Sequence, residues 1–353
     1  MDLAQGPHVL TWELTRACGL KCRHCRANAI PKRNSRELSL PEVLEVLDDI
    51  ATRFSPPPLM VFTGGDPLER SDLSDILRAS VARGLHTAVS PSVTPLLTKK
   101  VLEEWKAIGV KTVSISIDGP SAEVHDGFRR VDGTFRDSLA RAREVRELGM
   151  SLQVNTSVCG ETLAGMPAMG DLVKVLGVTS WEVFFVVPTG RGRVLPKLTA
   201  PETESTLQWL AQYSQTVSFR VTSIAAPQYR RLILENVPGA PYPKFPAIRE
   251  AQGFAFIDHL GEVCPSGYLP VPAGNVRRSP LSTIYRESAL FRQLRDPDLL
   301  RGRCGACEYK RICGGSRARA YAVTGDLQGE DPACPHVPEG APERPLTVLP
   351  VHA

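Results

Sequence analysis

Short apolar runs alternate with longer amphipathic stretches over about the first 200 residues of the chain. Six of these runs predict β-strands, at residues 9–14, 59–62, 86–90, 112–117, 152–158 and 181–187. Strands that alternate with helices pair in parallel, with right-handed crossovers. The pattern therefore predicts an α/β protein whose main unit is a partial (β/α)6 TIM-like barrel, with ligands at the carboxyl ends of the strands.

Helix boundaries are marked by recognisable residues. Glycine follows four predicted helices, where a left-handed residue turns the chain into the next strand, at Gly84, Gly109, Gly149 and Gly177. Ser39 and Glu42 have the spacing of a capping box. Thr98 and Thr134 are the expected caps of two later helices.

The alternation is expected to stop near residue 200. Residues 202–214 read as a helix, residues 237–246 as a Pro-rich connector, and residues 254–263 as a β-hairpin that turns at Gly261. The predicted organisation is a barrel over residues 1–198, a connector over 199–253, a small cysteine-bearing domain over 254–337 and a loose tail over 338–353.

Composition narrows the function classes. The 353 residues carry a net charge of only +4, so nucleic acid is not an expected partner. No apolar run approaches 18 residues, and the N-terminus lacks the basic start of a secretory signal, so we expect a cytoplasmic protein without membrane spans. Nine cysteines in a reducing compartment indicate metal binding more than disulfides.

Seven of the cysteines fall into two groups. Cys18, Cys22 and Cys25 follow the first strand; three thiolates can hold a [4Fe–4S] cluster and leave one iron open, whereas structural zinc would need a fourth ligand such as His24. The second group offers four ligands, for either zinc or a [4Fe–4S] cluster: Cys304, Cys307, Cys313 and Cys334. Cys159 is expected to be a small buried side chain.

The N-terminal cysteines, the Gly64-Gly65-Asp66-Pro67 motif after the second strand and the six strand–helix units together resemble the radical S-adenosylmethionine (SAM) superfamily. The resemblance implies that the open iron binds SAM. It also implies that an electron from a flavodoxin- or ferredoxin-type donor cleaves SAM to a 5′-deoxyadenosyl radical, which removes a hydrogen atom from the substrate.

The same resemblance assigns SAM contacts. The main chain of Gly64, Gly65, Asp66 and Pro67 would bracket the methionine amino group, although family members usually have Glu where Asp66 stands. His24 would lie near the adenine and Arg129 would pair the methionine carboxylate. Further polar contacts are expected from Ser90, Ser116, Asp118 and Asn155. For each polar residue, a strand-end hydrogen bond or a helix cap remains the alternative.

The segment over residues 302–335 resembles the SPASM/Twitch extension, which carries auxiliary iron–sulfur clusters. Ser279 and Arg317 stand where a full SPASM domain has cysteines. We therefore expect one auxiliary [4Fe–4S] cluster on the four C-terminal cysteines, with Cys264 left over. Such a cluster would accept the electron released when the substrate radical is oxidised; serving only as scaffolding is the alternative.

The segments at residues 12–18, 117–119, 187–193 and 304–322 also resemble the SAM-dependent haem synthases and the related enzymes of haem d1 biosynthesis. This likeness implies oxidative decarboxylation of propionate groups on an iron tetrapyrrole. Six arginines are the expected propionate partners: Arg191, Arg193, Arg230, Arg231, Arg317 and Arg319. A peptide-modifying SPASM/Twitch enzyme is the alternative, although a first strand at Val9 leaves no room for an N-terminal peptide-recognition domain. A zinc-binding interaction module is a remote third.

Overall fold

The computed structural model describes residues 2–237, 239 and 248–341. Its strands are β1 Val9–Glu13, β2 Leu59–Thr63, β3 Thr87–Val89, β4 Thr112–Ser116, β5 Ser151–Val158, β6 Ser180–Phe185, β7 Arg220–Ile224, β8 Arg249–Glu250, β9 Gly253–Ile257, β10 Glu262–Cys264 and β11 Gly274–Asn275. Its helices are α1 Leu40–Arg53, α2 Leu73–Ala82, α3 Lys99–Ile108, α4 Ala122–Arg129, α5 Thr134–Glu147, α6 Met166–Leu176, α7 Ala200–Ser214, α8 Tyr229–Asn236, α9 Leu281–Glu287, α10 Ala289–Arg295, α11 Gly302–Ala306 and α12 Arg317–Thr324.

One sheet contains these strands, in the order β11-β10-β9-β1-β2-β3-β4-β5-β6-β7, with β8 beside β9. Strands β1 to β7 pair in parallel in chain order. The six predicted strands are all present, and the predicted α/β class with a parallel, TIM-like sheet is confirmed. The carboxyl ends of β1 to β7 consequently lie along one edge, where the predicted site residues follow.

Alternate side chains separate the two faces of the sheet. Trp12, Phe62, Val154 and Trp181 are fully buried in the core beneath the outer helices. Their neighbours on the strands face the concave side, and these are polar. This polar set includes Glu13, Thr63, Ser116, Asn155 and Glu182, which the sheet register aligns across β1–β2 and β4–β6.

The expectation that the strand–helix alternation stops near residue 200 is wrong. Helix α7 leads into β7, which pairs in parallel with β6, and α8 follows. The sequence Arg220–Ile224 has one buried residue, Val221, so its apolar signal was too weak to reveal the strand. The predicted domain boundaries at residues 198 and 253 stay a prediction, because strands on both sides of each boundary belong to the same sheet.

The C-terminal hairpin occupies the other edge of the sheet. Strand β9 pairs in parallel with β1 and antiparallel with β10, and Gly261 lies between β9 and β10, as predicted. The register joins Trp12 to Ile257. Strand β10 runs back toward the amino end of β1, where the Pro265 carbonyl accepts from the Ala251 N–H at 3.3 Å.

The helix-end predictions are confirmed with one exception. All four post-helix glycines have positive φ, Glu42 accepts the Ser39 N–H at 2.7 Å, and Thr98 caps α3. Thr134 is not a cap, because it is the first residue of α5. Asp126 of α4 caps that helix instead, accepting from the Phe135 N–H at 2.6 Å and the Thr134 hydroxyl at 2.8 Å.

Most of the predicted Pro-rich connector, residues 238 and 240–246, and residues 342–353 of the predicted tail lie outside the described residues. Within the part of the chain that the structure describes, no helix has the length and apolar character needed to cross a bilayer.

Tyr285 of α9 offers a test of how the C-terminal segment is anchored. Its buried hydroxyl donates to the Leu3 carbonyl at 2.6 Å and accepts from the Gly253 N–H at 2.9 Å. Tyr285→Phe leaves both main-chain groups without a partner, so we expect a loss of about 1 to 3 kcal/mol in the free energy of unfolding, measured by anaerobic urea titration. The control is Tyr321→Phe at an exposed site, for which a change within about 0.5 kcal/mol is expected. Equal effects from the two variants would contradict the anchoring role.

Candidate functional site

The loop that carries Cys18, Cys22 and Cys25 follows β1 and is closed at its base by main-chain hydrogen bonds. The Cys18 N–H donates to the Ile30 carbonyl at 3.0 Å, and the Ile30 N–H donates to the Arg16 carbonyl at 2.9 Å. Two sulfurs accept main-chain hydrogen bonds within the loop, from Leu20 to Cys18 at 3.3 Å and from Ala29 to Cys25 at 3.5 Å. N–H groups directed at sulfur suit thiolate ligands of a metal.

The Gly64–Pro67 motif is bound directly to this loop. The Gly65 N–H donates to the Thr15 carbonyl, and the Asp66 N–H to the Ala17 carbonyl, both at 2.7 Å. A Cβ at Gly65 would lie 2.4 Å from the Ala17 oxygen, so only glycine allows this approach. The motif therefore positions the cysteine loop, whatever else it binds.

Asp66 is fully buried, and burial raises its pKa to about 6. Its carboxylate caps the short helical turn after β2, accepting from the Leu68 N–H at 3.2 Å and from the Thr94 hydroxyl at 2.8 Å. Ser92 lies between the Gly64–Pro67 motif and the cysteine loop. Its hydroxyl donates to the Gly65 carbonyl at 2.7 Å and is 3.4 Å from Cys18 Sγ. Sequence reasoning missed Ser92 and Thr94, which carry no motif of their own.

Arg191 holds the opposite side of the loop. Its guanidinium donates to the Cys22 carbonyl at 2.8 Å and to the Ala29 carbonyl at 3.2 Å. The main-chain N–H of Arg191 donates to the Cys25 carbonyl at 3.0 Å. A Cβ at Gly190 would lie 2.5 Å from the Cys25 oxygen. Arg191 Nη2 is buried without a hydrogen-bond partner, so the expectation that Arg191 pairs a propionate stays a prediction.

Asp118 and Arg129 form a buried ion pair beneath the cysteine loop. Arg129 donates Nε and Nη2 to Asp118 Oδ2 at 2.9 and 2.7 Å, and the Ser157 N–H donates to Oδ1 at 2.7 Å. Arg129 is the charge that keeps the pKa of Asp118 well below its usual range, against the effect of burial. Burial raises the pKa of the neighbouring Cys22 thiol, and the charge of Arg129 partly opposes that rise.

His24 stacks on Phe128 at a centroid distance of 4.6 Å, with its Nε2 3.9 Å from Asp118 Oδ2. Burial lowers its pKa to about 4, so the ring is neutral. Phe128 also packs with Cys159, Leu195 and Val186. The predicted burial of Cys159 is confirmed, at 1% exposure.

The predicted strand-end residues lie on the concave face. Ser116 is paired in register with Asn155, and Asn155 with Glu182 of β6. Asn155 Oδ1 accepts from Gln153 at 2.9 Å, while Ser90 uses its main-chain groups to bond Phe62 and Thr63. Glu182 is a further residue that sequence reasoning missed; an acidic side chain inside an otherwise apolar strand was the available signal.

Arg26 and Tyr268 are two further residues that sequence reasoning missed. Arg26 donates to Glu13 Oε2 at 2.8 Å and lies over the Phe256 ring of β9 at 4.6 Å. Tyr268, which follows β10, contacts Phe184 of β6 with ring centroids 6.4 Å apart. The C-terminal segment therefore closes over the concave face at the cysteine loop.

The four C-terminal cysteines line a single cavity, together with Gly315, Asp331 and His336. The Gly315 N–H donates to Cys313 Sγ and the Asp331 N–H to Cys304 Sγ, both at 3.4 Å. Gly315 has a φ of +65°, and a Cβ there would lie 2.9 Å from Cys304 Sγ. Burial raises the pKa of Cys307 and Cys334 to about 11, so a positive metal is needed to stabilise their thiolates.

The spacing of the sulfurs bears on which metal fits. A single tetrahedral zinc with Zn–S bonds of about 2.3 Å brings its sulfurs to about 3.8 Å from one another. Among the described residues, the trio of potential ligand atoms within 4.8 Å of one another is Cys307, Glu308 and His336. No three sulfurs of either cysteine group lie that close among the described residues, and thiolate donors suit both zinc and a [4Fe–4S] cluster.

Most of the other arginines predicted to bind propionates have structural partners. Arg231 pairs with Glu204 at 2.6 Å, Arg319 pairs with Asp331 at 3.1 Å, and Arg317 donates to the Gly329 carbonyl at 2.6 Å. Arg230 donates to the Ile248 carbonyl at 3.2 Å. Arg193 is exposed. Cys264 is buried on β10, and its pKa is raised to about 12 by burial, with Asp258, Glu262 and Glu13 as charged neighbours.

The Asp118–Arg129 pair allows a test that separates structure from ligand binding. Arg129→Met leaves a buried carboxylate uncompensated, so we expect a loss of about 3 to 5 kcal/mol in unfolding free energy. Asp118→Asn combined with Arg129→Met should recover most of it. If Arg129 also pairs the carboxylate of SAM, the double variant regains stability but still binds SAM weakly in equilibrium dialysis. Recovery of both properties would restrict Arg129 to a structural role.

Known proteins resemble this chain along its length. The Radical SAM superfamily profile matches residues 12–172. An AdoMet-dependent heme synthase of Methanosarcina barkeri is 36% identical over 346 residues, covering 95% of this chain and 98% of that protein. A pre-heme d1 synthase of Dinoroseobacter shibae is 30% identical, covering 92% of this chain and 85% of that protein.

The fold has a counterpart among solved structures. SuiB of Streptococcus suis, in a crystal structure with bound S-adenosylmethionine, superposes with a TM-score of 0.75 over 94% of this chain and 78% of its own, at 14% identity. At that identity the likeness concerns the fold alone. The full-length sequence matches show that this chain belongs to the radical SAM superfamily, in the group that includes the AdoMet-dependent heme synthases.

Proposed function

We propose that this radical SAM enzyme removes carboxyl groups oxidatively from propionate side chains of an iron tetrapyrrole. The observation that carries the proposal is the 36% identity to a heme synthase across nearly all of both chains. The polar concave face and the aromatic residues that close it are suited to a large ring with carboxylate groups.

In this proposal Cys18, Cys22 and Cys25 hold a catalytic [4Fe–4S] cluster, and the chain binds SAM beside it. The bound cluster supplies the electron that cleaves SAM, and SAM supplies the group that removes hydrogen from the substrate. The N–H groups of Gly65 and Asp66 are already used on the cysteine loop, and the carbonyls of Gly65, Asp66 and Pro67 accept from Ser92, Glu69 and Arg70. Among the described residues the Gly64 carbonyl is therefore the acceptor of this motif that is left for the SAM ammonium group.

The further proposed SAM contacts divide by their surroundings. His24, being neutral and stacked on Phe128, offers a flat apolar surface to the adenine. Ser90, Ser116, Asp118 and Asn155 would supply polar contacts. Arg129 donates Nε and Nη2 to Asp118, so Nη1, to which no described residue is bonded, is the nitrogen left to reach the methionine carboxylate.

A second [4Fe–4S] cluster is proposed on Cys304, Cys307, Cys313 and Cys334. When bound, this cluster supplies an acceptor for the electron that leaves the substrate. The Gly315 and Asp331 N–H groups would stabilise its charge, and burial would limit contact with water.

The proposed electron donor is an acidic protein of the flavodoxin or ferredoxin type. Lys21 and Arg130 are exposed on or near the cysteine loop, and the Arg23 N–H donates to the Phe128 carbonyl just before Arg130. These positive side chains can attract an acidic donor to the side of the molecule where the catalytic cluster would lie.

The cluster assignments predict about eight irons per chain after anaerobic reconstitution. Replacing Cys18, Cys22 and Cys25 together by Ala should halve the iron content and abolish 5′-deoxyadenosine formation. Cys307→Ala should keep SAM cleavage but block product formation. Cys159→Ala, a buried cysteine outside both groups, is the matched control and should keep all the iron. Stoichiometric zinc in the wild-type protein would contradict the assignment of the two [4Fe–4S] clusters.

The substrate is tested by anaerobic incubation with SAM, reductant and iron-coproporphyrin III, followed by mass spectrometry. We expect products that have lost CO2 and two hydrogens from one and then a second propionate, absent with the Cys18/Cys22/Cys25 variant. No change in tetrapyrrole mass would favour the peptide alternative. Relatives that support that alternative include a PqqA peptide cyclase of Granulibacter bethesdensis, 26% identical to this chain.

A further inference from the structure

The concave face of the sheet holds charged groups that the proposed chemistry does not use. Glu13 of β1 is 3% exposed, and Glu182 of β6 faces the same side. Charged side chains are rarely buried without a partner or a ligand. Both have protein partners, since Glu13 pairs with Arg26 and Glu182 lies 3.5 Å from Arg220, so they make this part of the concave face polar without themselves requiring a ligand.

Arg26 is the cation of this region. It follows Cys25 directly, and its guanidinium is held between the Phe256 ring and the main chain at Gly267, where a Cβ would lie 2.9 Å from the guanidinium carbon. Nη1 donates to Glu13. No described residue accepts from Nε or Nη2, and the side chain is 19% exposed, so one edge of the guanidinium is available.

Tyr268 directly follows Gly267, whose main chain packs against the guanidinium, and its ring reaches Phe184 of β6 at a centroid distance of 6.4 Å. Burial raises the pKa of the Tyr268 phenol to about 12, and the charge of Arg26 opposes that rise. The Tyr268 hydroxyl has no hydrogen-bond partner among the described residues. A planar guanidinium edge with a hydroxyl beside it matches the two oxygens of a carboxylate.

The acidic neighbours do not prevent a carboxylate from binding. Glu13 is already paired with Arg26 and lies 3.2 Å from His259 Nδ1, so its charge is shared between two partners. Burial raises the pKa of Glu182, which favours its neutral form. Arg317 and Arg319 bind buried groups of the protein. Arg191 Nη2 and Arg231 Nε have no partner but are buried, whereas the side chain of Arg26 is 19% exposed.

We propose that Arg26 and Tyr268 form the subsite that binds a propionate carboxylate of the substrate, with Glu13 and Phe256 fixing the orientation of the guanidinium. The inference rests on the proposed tetrapyrrole substrate and specifies which residues recognise it. Since Arg26 is adjacent to Cys25 in the chain, the subsite would hold the substrate at a set distance from the catalytic cluster.

The test compares two probes on the reconstituted holoenzyme: iron-coproporphyrin III and its tetramethyl ester, which has no carboxylates. Dissociation constants come from Soret absorbance titrations. Arg26→Gln should weaken binding of the acid by about 10- to 100-fold and leave binding of the ester within about twofold. Tyr268→Phe should weaken binding of the acid by about three- to tenfold. Arg78→Gln, an exposed arginine on α2, is the control and should change neither.

The ester distinguishes recognition from a folding defect, because a misplaced loop weakens both probes. Equal losses for acid and ester, or no loss for the acid, would overturn the subsite. If Arg26→Gln fails to hold the catalytic cluster, Tyr268→Phe decides, since it removes a hydroxyl and keeps the ring. Wild-type protein that binds neither probe would refute the tetrapyrrole substrate and the subsite together. Wild type that converts the acid while binding both probes equally refutes the subsite alone.

Discussion

The cysteine loop after β1 is held by main-chain hydrogen bonds from other strand ends, and the remaining features of the site depend on that constraint. Gly65 and Asp66 donate to the loop from the end of β2, and Arg191 donates from the segment after β6. Two glycines, Gly65 and Gly190, make these approaches possible, since a Cβ at either would lie within about 2.5 Å of a carbonyl oxygen. A loop held from two sides can present three sulfurs in a set arrangement before any metal binds.

The sheet brings the C-terminal segment to the same place. Because β9 pairs with the free edge of β1, the C-terminal hairpin extends the sheet beside the first strand, and the residues after β10 return to the cysteine loop, where Gly267 packs against Arg26. Phe256, Gly267 and Tyr268 then surround Arg26, which links the cysteine loop to the C-terminal segment. The two halves of the chain therefore share one sheet and one site, although the four C-terminal cysteines line a cavity of their own.

Arginines illustrate why a charge pattern alone is a weak guide to binding. Arg317 and Arg319 are 1% and 6% exposed, and each satisfies its donors with buried carbonyl or carboxylate groups. Burying a guanidinium without such partners would be costly, so a buried arginine is usually committed to the fold. Arg26 differs because its guanidinium stacks on the Phe256 ring and makes a single hydrogen bond, from Nη1 to Glu13. Its Nε and Nη2 donors therefore have no partner among the described residues.

By itself, the sequence determined the local features: six parallel strands, the glycines after four helices, the Ser39 capping box and two groups of cysteines with ligand spacing. These follow from side-chain periodicity, backbone preferences and thiolate chemistry, which act over a few residues. Strand β7 and the role of Arg26 were decided only by tertiary structure. Strand β7 has one buried side chain and depends on pairing with β6, and the partners of Arg26 at Phe256 and Gly267 come from more than 200 residues away. Such contacts leave no periodic signal, because they arise from the register of a sheet that assembles both ends of the chain.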